Sequence, residues 1–246
     1  MNDITCKSAL AVLEHQLRQE RAFGALSQSY VHRAVREDSL GFLIGRDAIL
    51  ADWVKKDRAD VSIIADFGDM IAFEIKDGTQ SWQGQRWVVR EGDKIIRETL
   101  VENTLLSKLA MPVHPPLGEL RAGRGQYDAG TVAVLPADFP DAAKPLASIL
   151  HQAWNGRAFN LYEAPWLVKI VRTLPDATFY FERASVLGDQ YAILWRVHGH
   201  HCDGQRVRLI GSGVMTFSNG VISSDNSVVD FAAMDAQIGR NLISYA

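Results

Sequence analysis

Cysteine is scarce in this chain of 246 residues: Cys6 and Cys202 are the only two, and neither sits in a CxxC pair. Two thiols cannot build the disulfide framework of a small secreted domain, so a reducing compartment is expected. Positive charge is not in excess either. Lys and Arg number 26 against 29 Asp and Glu, for a formal net charge of -3, and the sequence pI is about 6.2. Nucleic acids and anionic membranes favour a basic face, so neither is expected as a partner. No apolar run approaches the ~18 residues that a spanning helix needs. The opening MNDITCKSALAVLEHQLRQE breaks its apolar residues with charges and lacks the core of a signal peptide. These absences together predict a cytoplasmic protein whose partner is a small molecule.

What is present is a hydrophobic fraction of 47%, enough to bury a full core in one large domain or two small ones. The most informative stretch is Leu174 to Gly239. In Asp189 to His200, Tyr191, Ile193, Trp195 and Val197 fall on one face and Arg196, His198 and His200 on the other, the period of two that marks strands. Gly188-Asp189, Asp203-Gly204 and Asn219-Gly220 supply hairpin turns. An antiparallel meander is the simplest topology.

Further upstream, Ser8 to Tyr30 and Asp47 to Lys56 carry apolar residues at helical spacing. Strands are predicted at Val61 to Phe67, Met70 to Lys76, Gln85 to Arg90 and Lys94 to Val101. From Met111 to Pro145 stand six of the eight prolines beside four glycines, which reads as a linker with one edge strand at Thr131 to Leu135. Helical spacing then returns at Leu146 to Trp154 and at Tyr162 to Val171. The order of helices then strands thus occurs twice. Gly68-Asp69 matches Gly188-Asp189 at an offset of 188 − 68 = 120, and Gly84-Gln85-Arg86 matches Gly204-Gln205-Arg206 at 204 − 84 = 120. Ile96 matches Ile222 at 126, which assigns six extra residues to the final hairpin of the second copy. An internal repeat follows, with residues 1–110 as one copy, 111–145 as linker and 146–246 as the other.

Helices followed by a curved antiparallel sheet resemble the nuclear transport factor 2-like (cystatin-like) superfamily. The second copy resembles its SnoaL-like polyketide cyclase branch. The residues that carry this are Trp154-Asn155-x-Arg157, Leu174-Pro175-Asp176, Trp195-Arg196-Val197-x-Gly199-x-His201, Gly220-x-Ile222 and Asp230-x6-Gln237-x-Gly239. The first copy matches only at superfamily level, through Gly45-x-x-Ala48-Ile49, Phe67-Gly68-Asp69 and Gly84-Gln85-Arg86-Trp87. The resemblance implies an α+β fold of two cone-shaped domains, each with N-terminal helices packed on a curved antiparallel sheet. It also implies an intramolecular aldol-type cyclisation, or a related lyase or isomerase reaction, on a small hydrophobic carbonyl compound, with no cofactor and no metal. Superfamily members pair through their sheets, so an intrachain pseudo-dimer, with a further homodimer, is the expected assembly. The chain departs from the branch at Gly220-Val221-Ile222-Ser223-Ser224-Asp225-Asn226, where many relatives carry Glu and Trp, and in having no histidine between Arg208 and Phe217.

The resemblance places the acid/base at Asp230, with His201 assisting and Asp225 as the other carboxylate on that segment. A carboxylate desolvated in an apolar pocket is a stronger base than one in water. Asp230 serves equally well as the N-cap of a short closing helix, Phe231 to Ile238, and Asp225 lies in a polar Ser-Ser-Asp-Asn run. Trp154, Phe159, Tyr162, Trp166, Trp195 and Met215 are candidates for the pocket lining or for ordinary core. His198, His200 and His201 read as surface or hairpin histidines rather than metal ligands, since a metal site wants a third and usually a fourth ligand. In the first copy Thr104 replaces the acid/base, while Glu98 and Glu102 lie on the last strand. That copy is expected to lack the aldol-type site and to serve in packing. The alternative for the protein as a whole is a cone that binds a small apolar molecule without turning it over.

Overall fold

A computed structural model describes residues 29–38, 41–54, 60–77, 80–102 and 135–239. The chain divides into two compact units, Met1–Glu102 and Asn103–Ala246. The expected helix from Ser8, the linker up to residue 134 and most of the expected edge strand at Thr131 lie outside the described residues.

The first unit carries a six-stranded sheet. Its strands are β1 (Tyr30–Asp38), β2 (Gly41–Ile44), β3 (Asp60–Asp66), β4 (Met70–Asp77), β5 (Gln80–Glu91) and β6 (Lys94–Glu102), in the order β2-β1-β6-β5-β4-β3. All neighbours are antiparallel except β1 and β6, which run parallel. Helix α1 (Arg46–Val54) places Ile49 and Leu50 in one core cluster with Tyr30, Ala34, Ile71, Phe73, Val88, Ile95 and Leu100. Sequence reading did not find β1 and β2, and it ended a helix at Tyr30. The physical reason is that β1 buries Arg36 and Glu37 beside Tyr30 and Ala34, so no apolar alternation marks it.

The second unit opens with a 3-10 turn (Asp141–Ala143) that runs into α2 (Lys144–Trp154), followed by α3 (Pro165–Thr173). Pro145 stands in the first turn of α2, where its missing N–H costs nothing, so the Pro-rich segment ends inside the helix it was expected to precede. Tyr162 falls in the connection before α3 rather than on its stripe. Strands β7 (Thr178–Leu187), β8 (Gln190–His200), β9 (Arg206–Ser218) and β10 (Val221–Val229) then form the expected antiparallel meander, and α4 (Phe231–Gln237) closes it.

Each sheet thus contains a four-stranded antiparallel meander, but the constant offset of 120 does not hold along it. Gly84 lies inside β5, whereas Gly204 occupies the turn between β8 and β9 with φ 81°. The final hairpins are equal in length, with two residues between Glu91 and Lys94 and two between Ser218 and Val221. The extra residues lie instead at the middle hairpin, where Asp77 to Gln80 contrasts with His200 to Arg206. The face of β8 that carries Arg196 is also buried along its first half: Ala192, Leu194 and Arg196 are 0%, 1% and 7% exposed. Arg196 is held there by an ion pair with Glu182.

The core of the second unit centres on Trp154. Its ring centroid lies 5.2 Å from Phe179, 5.4 Å from Phe181, 5.4 Å from Trp166 and 5.5 Å from Trp195. Trp195 reaches across the sheet to lie on Gly211, where a Cβ would sit 2.0 Å from its ring. No side chain but hydrogen fits under that indole. Gly211→Ala is therefore expected to destabilise the protein by about 1–3 kcal/mol through overpacking, read as a lowered urea midpoint. The same change at Gly220, where nothing lies within 4 Å, strains only a turn and should cost about 1 kcal/mol.

Candidate functional site

The helix-facing side of the second sheet is fixed by register. Asp225 on β10 stands beside Met215 on β9, which stands beside Tyr191 on β8, and Met215 belongs to the core cluster shared with α2 and α3. Asp225 therefore points to the side from which those helices approach. Two donors meet it there. Tyr162 O–H donates to Oδ2, and Trp166 Nε1 donates to the same oxygen at 2.9 Å. Ser227 Oγ, two residues along the strand, donates to Oδ1 at 2.5 Å.

Local sequence explains the convergence. Ala164 is extended and Pro165 starts α3, which puts Trp166 in the first turn, stacked on Trp195 at 4.9 Å and 18°. The stack sets the indole edge toward Asp225. Tyr162 is 9% exposed, and its phenol is pushed far above its ordinary range, first by burial and then by the Asp225 charge. It therefore remains a hydrogen-bond donor at any physiological pH. Phe159, half-buried, packs against the same core.

The other sequence-derived candidates do not join this cluster. Asp230 is 2% exposed and accepts a hydrogen bond from Ala233 N at 3.0 Å, so it caps α4. His201 lies just past the far end of β8, ten residues beyond the Tyr191 that shares a row with Asp225. Ten strand residues correspond to roughly 30 Å, so His201 and Asp225 cannot act on one small molecule together. Trp154, Trp195 and Met215 are each 0% exposed. All three belong to the hydrophobic core cluster of the second unit.

Several polar residues of the sequence signature bond to backbone. Asn155 accepts from Phe179 N at 2.7 Å and donates to Phe179 O at 2.9 Å, which fastens the end of α2 to β7. Arg157, with φ 57°, donates to the carbonyls of Trp154 and Ala177. Asp176 accepts from His200 N at 2.6 Å and pairs with the His200 ring at 2.7 Å. Gln237 accepts from Arg208 N and donates to Arg208 O, both at 2.9 Å. It thereby pairs like a strand residue with the part of β9 that β10 no longer covers.

In the first unit, sequence reading passed over a buried polar cluster. Arg86 and Glu98 share rows with core residues Ile71, Leu100 and Val88, so both lie on the helix-facing side. Tyr30 O–H donates to Glu98 Oε2 at 2.5 Å, Arg86 pairs with Glu98 at 3.0 Å and also donates to Tyr30 Oη. Burial pushes the Glu98 carboxyl up, but Arg86 and then Arg36 outweigh it and hold the group below the usual carboxylate range. Only the charged residues Arg86 and Glu98 were visible as signals, with nothing to show that they meet.

Two stability measurements follow from these assignments. Asp230→Ala should lower stability by about 1 kcal/mol, and Asp230→Ser or Asp230→Asn should restore most of it. Glu98→Gln leaves Arg86 buried without its counter-charge and should cost about 3–5 kcal/mol at neutral pH. Because the folded Glu98 is held low, its contribution is fully present above the unfolded value of about 4.3 and is lost as pH falls through the folded value. The gap between wild type and Glu98→Gln should therefore narrow in acid, as read by urea denaturation at several pH values.

No protein-family profile matches the chain, and no curated protein matches it in sequence. Among solved structures, the chain is similar to a candidate polyketide cyclase from Bacillus cereus ATCC 10987, at 14% identity over 44% of this chain and 91% of that one, with a TM-score of 0.35. It is also similar to an NTF2-like protein of unknown function from Cytophaga hutchinsonii ATCC 33406, at 14% identity over 42% and 94%, with a TM-score of 0.33. A de novo designed protein with a curved β-sheet is matched at 19% identity over 41% and 86%, with a TM-score of 0.32. No residue's role here rests on these likenesses. The described residues form α+β units with two sheets, and no helix among them is long and apolar enough to cross a membrane.

Proposed function

We propose that the second unit is a cofactor-free acid/base catalyst acting on a small hydrophobic carbonyl compound, in a reaction of the cyclase, lyase or isomerase kind, with Asp225 as the proton-transferring carboxylate. The observation that carries this is the convergence of Tyr162 O–H and Trp166 N–H on Asp225 at the helix-facing side of the sheet. In such a reaction the Asp225 carboxylate takes the proton from a carbon next to the carbonyl. The C–H electron pair moves into the enolate, and the proton returns to carbon or, where the enolate carbon adds to a second carbonyl, to the alkoxide oxygen that the opened C=O π bond leaves. A nearby neutral phenol stabilises the enolate oxygen if its O–H swings from the carboxylate to the substrate. Tyr162, kept protonated by burial and by Asp225, supplies that donor. Asp230 holds α4 in place in this reading, and His201 stands too far along β8 to take part.

A second reading keeps the site and drops the turnover: the unit binds a small apolar carbonyl compound at the Tyr162 and Trp166 edges. The exposure of Asp225 favours it, because an exposed carboxylate keeps its hydration, and enclosed sites best sustain a raised carboxylate basicity.

Deuterium exchange at the α-carbon of an aryl methyl ketone in D2O, followed by proton NMR, separates the two. Wild-type protein should accelerate exchange, Asp225→Asn should abolish the acceleration, and Tyr162→Phe should reduce it by about 10- to 100-fold. Ketone-induced shifts of the Trp166 indole N–H without any exchange would establish binding alone. Full exchange activity in Asp225→Asn would remove the proposed base.

A further inference from the structure

The hairpin between β8 and β9 carries His201, Cys202 and Asp203 in succession, and their ligand atoms all lie within 4.8 Å of one another. Cys202 Sγ is 3.6 Å from His201 Nδ1 and 3.6 Å from Asp203 Oδ1, and His201 Nδ1 is 3.0 Å from Asp203 Oδ2. A tetrahedral zinc ion with bonds of about 2.3 Å to sulfur and about 2.0–2.1 Å to nitrogen or oxygen sets its ligands about 3.5 Å apart for S to N or O, and about 3.3 Å for N to O. The pairwise separations in the turn come close to those spacings, with the sulfur facing Asp203 Oδ1 and the nitrogen facing Oδ2, so a rotation of the carboxylate about its Cβ–Cγ bond brings one oxygen to both.

We propose that this turn is a site for a divalent transition-metal ion, zinc foremost, held by His201 Nδ1, the Cys202 thiolate and the Asp203 carboxylate, with the fourth position left to water. A sulfur, nitrogen and oxygen donor set selects a borderline-soft ion over magnesium or calcium, which take all-oxygen shells. The site is preformed by backbone. His201 N donates to Gln205 O at 2.9 Å and Gly204 N donates to His201 O at 2.8 Å, and Gly204 takes φ 81°, so three successive side chains are turned to one side of a tight loop. The His201 side chain is only 10% exposed, which limits its rotamers, while Cys202 is free and exposed and leaves the ion an open path. Binding requires the Cys202 thiol to lose its proton to solvent, and it replaces the weak 3.5 Å contact from Asp203 N to His201 Nδ1. The neighbouring His200 is engaged with Asp176 on the other side of the strand end, so it competes for no position on the ion.

Cobalt(II) tests the site directly, because a bound thiolate gives a charge-transfer absorption that nitrogen and oxygen ligands do not. Full-length protein, reduced and titrated with cobalt(II), should develop this band at one ion per chain and lose it on addition of zinc. Cys202→Ser should lack the band altogether. His201→Ala and Asp203→Ala should each weaken zinc binding by about tenfold or more, by competition with a chelating dye. Cys6→Ser should leave both readouts unchanged. Circular dichroism of each variant would confirm that the exposed turn tolerates the change. The proposal is overturned if wild-type protein shows no thiolate band at one equivalent, or if the band survives Cys202→Ser and disappears with Cys6→Ser.

Discussion

The contact on which the second unit depends is the Trp195 ring lying on the bare backbone of Gly211. A strand that carries a glycine there opens a slot one side chain wide on the helix-facing side of the sheet, and Trp195 fills it from the neighbouring strand. Once that indole lies flat, Trp166 stacks on it and Trp154 packs against its edge, which fixes where α3 and α2 meet the sheet. The polar site is a consequence of this apolar one. Trp166 aims its N–H at Asp225 because its ring plane is set by Trp195, and Tyr162 comes into reach because the chain must pass Asp225 on its way into α3.

The residues that gave the second half its family resemblance act, in the structure, on the backbone. Asn155, Arg157, Asp176, Asp230 and Gln237 each bond to backbone groups at the ends of helices or strands. These are the places where the main chain runs out of regular partners and a buried amide or carbonyl would otherwise lose several kcal/mol of hydration (about 1–3 per group). A sheet closed on one side by two helices creates such places at predictable points: the helix ends, the start of the first long strand and the uncovered stretch of β9. Polar residues at those points therefore report how this fold is finished. They say much less about which carboxylate meets a substrate.

That distinction decides what could be read in the sequence. The meander was legible because β8 puts Tyr191, Ile193, Trp195 and Val197 on one face and because Gly188 and Gly220 mark turns that need positive φ. The N-cap role of Asp230 was legible as one of two readings, since an Asp before a short apolar run serves both. Strand β1 was not, because its buried positions include Arg36 and Glu37, and β2 was not, because it has four residues with Phe42 and Ile44 exposed. Asp225 was the hardest to place. Its neighbours Ser223, Ser224 and Asn226 read as solvated, and nothing in the local pattern shows that Tyr162 and Trp166, about 60 residues earlier, donate to it. Long-range convergence of this kind leaves no trace in the spacing of a single segment.

The two units also settle the same packing problem in opposite ways. On the helix-facing side of its sheet the second unit places Trp154, Trp195 and Met215, all without exposed surface, whereas the first places Arg86, Glu98 and Tyr30 among Ile71, Val88 and Leu100. A buried ion pair contributes little net stability against apolar residues of similar volume, because both charges must be taken out of water. Its effect is on alternatives: any register or side-chain arrangement that separates Arg86 from Glu98 strands a charge in the interior. β6 pairs with β1 in parallel and shifts register between Tyr30 and Val35, so the first sheet has an irregular, unconventional neighbour to hold in line. Tyr30, on that irregular strand, bonds to Glu98 on β6 and is bonded by Arg86 on β5. The polar cluster thus ties three strands across the parallel β1–β6 junction, where the register shifts.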